Sequence, residues 1–255
     1  MAKVTMQKTE LEQFIKLISL SNIVEDCKLR ASKGLVRSRG MDKQRSVYFS
    51  VRAKAKVKEE GIIQVPQIDR FLEVLSRFSG TVTVGTDKQG LTLVGQGKRC
   101  VLRAQDETEL DSTKSLAKIS KMLDTKKKTF AEWKYGENFF VLTKETGESL
   151  VRDIACISTG EYLCKIILDP KKEHVLCVVE DRDTAHKFSV KVVAAELEVK
   201  KRVVVFFGYG LKEVLDAAQG DVKVYLHHEP STPAWITSEN GMYIVQSEKP
   251  DDEEE

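Results

Sequence analysis

Two stretches, "FLEVLSRFSGTVTV" from Phe71 to Val84 and "LKEVLDAAQGDVKV" from Leu211 to Val224, share Glu, Val, Leu, Gly, Val and Val at six of fourteen places. Pairing Gly80 with Gly220, or Leu75 with Leu215, gives the same offset of 140 residues. A second echo lies upstream of each. "TELEQFIKLISLSNIVEDCK" from Thr9 and "TGESLVRDIACISTGEYLCK" from Thr146 both close on Cys-Lys, with Cys27 and Cys164 offset by 137. Two phrases recurring in the same order at nearly the same distance read as an internal duplication, and short helix and strand vocabulary matching by chance is the weaker alternative.

Each half then reads as the same series of elements. Leu11, Phe14, Ile15 and Ile18 recur at helical spacing, as do Leu150, Val151, Ile154 and Ile157, with Thr9 and Thr146 as expected caps. Strand-like stretches follow, "CKLRASKGLVRSRG" and "SVYFSVRAK" in the first half, "CKIILDP", "HVLCVVED" and "HKFSVKVV" in the second. The quoted helix comes next, stops near Gly80 or Gly220, and runs into alternating Val-x-Val. The expected fold class is α+β: two similar domains, each with two helices on antiparallel sheet. The expected boundaries are a first domain at 1–106, a connector at 107–128, a second domain at 129–250 and an acidic tail at 251–255.

At 255 residues, two domains of ordinary size is the natural reading. Lys and Arg total 41 against 39 for Asp and Glu, a balance of +2 that becomes +7 without the five acids of Asp251–Glu255. Five cysteines without CxxC spacing, and no apolar run of membrane length, lead to the expectation of a reduced, intracellular protein that spans no membrane.

No constellation suggests catalysis, a metal or a cofactor. His174, His186, His227 and His228 lack ligand spacing on one element face. "GQGKR" at Gly95 lacks the phosphate-loop pattern and reads as a hairpin glycine pair. Cys156 is expected on the apolar side of its helix. Paired acids such as Asp251 and Asp252 belong to the tail. A non-enzymatic protein is expected.

"RASKGLVRSRGMDKQRSVYFSV", Arg30–Val51, with its loop of Met41, Asp42, Lys43, Gln44 and Arg45, resembles the first domain of the archaeal and eukaryotic sliding clamps, the proliferating cell nuclear antigen family. "FLEVLSRFSGTVTV" resembles that family's second helix and following strand. "GQGKRCVLRAQDE" resembles the strand entering its connector, and "GMYIVQSEKPDDEEE" its last strand and acidic end. The resemblance implies a DNA sliding clamp, a ring of six like domains built from three two-domain subunits, with helices facing DNA and sheets joining subunits. It implies a processivity factor for DNA polymerase in replication and DNA repair, a homotrimer without cofactors. Its partners would be double-stranded DNA bound without sequence preference, DNA polymerase, a clamp loader and other clamp-binding replication and repair proteins. The compartment would be cytoplasm or nucleoid in an archaeon or virus and nucleus in a eukaryote. A checkpoint-type subunit or clamp-like scaffold in a heteromeric ring is the alternative.

On this reading Lys8, Lys16, Arg70, Arg77, Arg152 and Lys212 are the expected DNA-facing residues. Glu10, Glu12, Glu73, Glu148, Asp153, Glu213 and Asp216 share these helices, so a plain solvated surface of mixed charge also fits. The resemblance further implies a partner-peptide groove at Met41, Arg45, Leu123, Pro233, Ile244, Val245 and Gln246. The family's usual Ala-Pro pair is replaced by Val245 and Gln246, and core packing is the other reading of Ile244 and Val245.

Overall fold

A computed structural model describes residues 2–87, 90–103, 138–157, 161–184, 186–218, 220–229 and 232–248. The expected connector, Leu123 within it, and the tail at 251–255 lie outside the described residues. The chain divides into two compact units, Met1–Ser120 and Lys121–Glu255.

Unit 1 is built from β1 (Lys3–Gln7), α1 (Lys8–Ser19), β2 (Cys27–Ser32), β3 (Leu35–Met41), β4 (Val47–Lys54), β5 (Lys56–Glu59), β6 (Gly61–Val65), α2 (Ile68–Ser76), β7 (Thr81–Asp87), β8 (Gly90–Gly95) and β9 (Lys98–Leu102). Its strands pair antiparallel in two runs, β5-β1-β7-β8-β9 and β4-β3-β2-β6. Strict alternation explains the second run. In β2, Cys27, Leu29 and Ala31 are buried while Lys28 and Arg30 are exposed, the period-2 signature of a sheet wet on one side. Both α1 and α2 bury one stripe, Leu11, Phe14, Ile15, Leu17 and Ile18 on the first and Ile68, Phe71 and Leu75 on the second. The two helices pack together, and α1 lies against β4 and β1.

Unit 2 comprises β10 (Asn138–Leu142), α3 (Lys144–Ile157), β11 (Tyr162–Leu168), β12 (Val175–Asp181), β13 (Lys187–Val192), β14 (Glu196–Val199), β15 (Val203–Phe207), α4 (Leu211–Ala217), β16 (Val222–Tyr225), β17 (Ala234–Thr237) and β18 (Gly241–Val245). Its antiparallel runs are β14-β10-β16-β17-β18 and β13-β12-β11-β15. Adding nine to every strand number of unit 1 reproduces both orders. The duplication read from the sequence is therefore a duplication of topology, strand for strand. Leu150 and Ile154 on α3 and Leu211, Val214 and Leu215 on α4 close the second core.

Local chemistry fixes the turns. Lys33 and Gly34 adopt φ of 48° and 77°, and Gln96 and Gly97 adopt 49° and 73°. Two consecutive left-handed residues are what a two-residue hairpin needs to match strand twist, and glycine supplies the second at no steric penalty. "GQGKR" is thus a hairpin, as expected.

Three local expectations need correction. Thr9 lies inside α1, whose first amide, Lys8 N–H, is satisfied at 2.7 Å by the distant Gly80 carbonyl. Thr146 lies inside α3, and the hydroxyl of Thr143 accepts its N–H at 3.3 Å, so Thr143 caps that helix. Cys156 is exposed. The buried stripe of α3 runs Gly147, Leu150, Ile154, and a residue two further on points roughly 200° away around the helix.

Candidate nucleic-acid interface

Six basic side chains were expected on the helices. Lys16, Arg70, Arg77 and Arg152 are exposed, whereas Lys8 and Lys212 are half-buried. Three are engaged by acids of their own helix. Glu12 takes both Lys8 and Lys16, the latter at 3.0 Å, and Glu73 takes Arg70. Hydrogen bonds from Lys8 and Lys16 hold the Glu12 carboxyl below its ordinary range. Exposed pairs of this kind are worth about 0–1 kcal/mol, so a phosphate could displace them. Arg77, Arg152 and Lys212 form no ion pair among the described residues. Arg77 lies just past the end of α2, where its carbonyl accepts the Lys98 ammonium at 3.0 Å. The β8–β9 hairpin thereby adds a seventh cation beside the helix end. Lys98 escaped sequence reasoning because the bond joins residues 21 apart.

The helices as a set are not cationic. Within α1 to α4 stand six Lys and Arg against nine Asp and Glu. Weak and general attraction to phosphate is the most these faces support on charge alone.

Sheet faces tell a different story. In unit 1, Lys28, Arg30, Arg37, Arg39, Arg52 and Lys54 alternate with buried residues on β2, β3 and β4. No acid occurs on these strands or on β6. The alternations K-x-R, R-x-R and R-x-K were visible in the sequence, but their sharing of one face depends on strand register. In unit 2 the matching face carries Leu163, Lys165, Ile167, Leu176, Val178, Val204 and Phe206, all half-buried.

The loop Met41–Arg45 is held from within. Asp42 is buried, and its carboxylate accepts the N–H groups of Val47 at 2.7 Å and Gln44 at 3.1 Å. Burial pushes its carboxyl above the ordinary value, against the pull of those amides. Asp181, the last residue of β12, stands 139 residues later; it is buried and accepts from Asp183 at 2.9 Å and Thr184 at 2.7 Å.

Of the other expected groove residues, Met41 and Pro233 are half-buried, and Arg45 and Gln246 are exposed. Ile244 retains 8% exposure and Val245 none, opposite Trp235 and Ala234 across β17–β18. That burial gives core packing the stronger claim on Val245. Cys27, Cys164 and Cys177 are buried too. Desolvation raises the Cys27 thiol, and a hydrogen bond between the Cys164 and Cys177 thiols together with burial raises that of Cys164, so neither is set up as a nucleophile. Among the described residues no cluster of His, Cys, Asp and Glu is arranged to hold a metal, and no helix is long and apolar enough to cross a membrane.

No protein-family model and no curated protein matches the sequence. Solved structures do. The chain is similar to the DNA polymerase sliding clamp from Pseudomonas aeruginosa, with a TM-score of 0.71 and 13% identity over 97% of this chain and 67% of that one. It is similar also to the DNA polymerase III beta subunit from Thermotoga maritima, with a TM-score of 0.67 and 13% identity over 98% of this chain and 66% of that one. At such identity the likeness is one of fold, and the chain spans about two thirds of the length of each.

Proposed function

We propose that this chain is a subunit of a DNA sliding clamp, a non-catalytic ring that encircles duplex DNA and tethers DNA polymerase and other replication and repair enzymes. The carrying observation is the strand-for-strand repeat of a two-helix, antiparallel unit within a chain whose fold matches sliding clamps. A six-unit ring would take three copies, the archaeal and eukaryotic arrangement.

The edges support closure. β9 and β13 each end a sheet. On β9, Val101 and Leu102 are half-buried, and Phe188 on β13 and Val193 just beyond it are 36% and 74% exposed. Apolar side chains on an unpaired edge invite strand addition, here between β9 of one copy and β13 of the next. The helices, with Lys8, Lys16, Arg70, Arg77, Arg152 and Lys212, would line the hole. Their modest charge suits enclosure, since topology rather than affinity prevents escape. A partner peptide would dock at Met41, Arg45, Leu123, Pro233, Ile244, Val245 and Gln246, with the connector joining the domains, and a clamp loader would open the ring.

Loading onto circular DNA tests this reading. Retention is expected to survive a salt wash on closed circles and to vanish after one cut, with a solution mass roughly three times 28.8 kDa. Equal retention on both DNA forms would sink the clamp mechanism. A clean monomer mass together with ring formation only on adding a second chain would favour the heteromeric scaffold.

A further inference from the structure

Four residues stand side by side across the β4-β3-β2-β6 run of unit 1. Arg30 pairs directly with Ile62 on β6 and Arg37 on β3, and Arg37 pairs directly with Arg52 on β4. Three guanidinium groups thus stand in a row across about 10 Å, two strand spacings. Lys28 flanks them on β2, Arg39 on β3 and Lys54 on β4. Like charges directly opposite each other destabilise a sheet. Among the described residues no ion pair relieves Arg30, Arg37, Arg52 or Lys54. Among the described residues, Asp26 stands beside Lys28 at the start of β2, and Glu60 accepts the Lys33 amide beyond the turn.

The fold does not require this row. Its counterpart in unit 2 is Val204, Ile167, Leu176 and Lys191, in the same pairing. Two of the three arginine positions therefore tolerate aliphatic side chains in the duplicate. By alternation the row points away from Leu29, Val36, Phe49 and Val51, which are buried in the core where α1 packs. It lies on the face of the sheet opposite the helices.

We propose that the outer face of the β4-β3-β2-β6 run binds the phosphate backbone of nucleic acid without sequence preference, centred on Arg30, Arg37 and Arg52. Guanidinium groups match phosphate with paired N–H donors and stay charged at any working pH. A sheet with six cations and no acid attracts a polyanion and releases its counterions on binding. The one aromatic residue on the face, Tyr48, is half-buried opposite Met41 at the end of the ladder, so the arginine rows offer no stacking platform for bases. Recognition is of the backbone, and it needs no ring.

The test is fluorescence anisotropy of the full chain with a linear 30-base-pair duplex and with a 30-nucleotide single strand, where encirclement gives no retention. Failure of this proposal is therefore distinguishable from failure of the clamp reading. R30Q/R37Q/R52Q is expected to weaken duplex binding on the order of tenfold or more. It should also lower the slope of log affinity against log salt by about 0.9 for each phosphate that is no longer neutralised. The charge-preserving R30K/R37K/R52K is expected to keep that slope. Should the glutamine variant fail to fold, acetylation footprinting of the unmodified chain gives the answer, since bound DNA is expected to protect Lys28 and Lys54. Unchanged affinity and slope in a folded glutamine variant, or no protection of those lysines, overturns the proposal. So does arginine-dependent capture of a poly-glutamate peptide with DNA binding unaffected, which would assign the face to an acidic protein segment. The relative weakening on duplex and single strand identifies which form the face prefers.

Discussion

Asp42 shows how a residue can help carry a family resemblance and have a structural role. The Met-Asp loop carried much of the family resemblance, yet Asp42 commits its carboxylate to the amides of Gln44 and Val47, and its duplicate does the same for Asp183 and Thr184. Buried amides left without an acceptor cost about 1–3 kcal/mol. Asp42→Ala and Asp181→Ala are each expected to lower unfolding free energy by that amount in chemical denaturation. A much larger effect of Asp42→Ala on partner binding than on stability would show that the carboxylate also meets a ligand. This parallel was present in the sequence, as "GMDKQRS" and "VEDRDTA" at an offset of 139. It was hidden because only the aspartate survives in both.

At the scale of elements, helices and strands were legible because their periods are set by burial on one side. Their ends were less so. Thr9 looked like a cap on local grounds, but α1 already begins one residue earlier at Lys8, whose amide is taken by the Gly80 carbonyl 72 residues away. Cys156 stands two residues past Ile154, on nearly the opposite face of α3 from the buried stripe. The helical cations can be picked out one by one from the sequence, whereas the grouping of the sheet cations cannot, since only pairing shows that β2, β3 and β4 present them together. The edges β9 and β13 carry the element-scale prediction. Phe188→Glu places a charge on an exposed apolar edge residue, so it is expected to shift the solution mass towards the monomer while circular dichroism stays unchanged. An unaltered mass in the variant, with the parent chain assembled, would remove β13 from the joint.

For the whole molecule, duplication means that two copies of one architecture fold within a single chain, and inter-domain misassembly is the characteristic hazard of such proteins. The arginine row bears on that hazard. When β2 and β3 pair correctly, Arg30 meets Arg37; in a crossed pairing with the duplicate, Arg37 would meet Ile167 instead, and the Arg30–Arg37 repulsion would disappear. Correct assembly of unit 1 thus works against its own electrostatics, and ions that screen the row should favour it. Adding sodium chloride, from tens of millimolar to a few hundred, is expected to raise both the melting temperature and the yield of refolding. R30Q/R37Q/R52Q should be nearly indifferent to salt by both measures, and an equal salt response in the two proteins would show that the row carries no such penalty. A polyanion is expected to act on the row as salt does, so short polyphosphate should raise the refolding yield of the parent chain and leave that of R30Q/R37Q/R52Q unchanged.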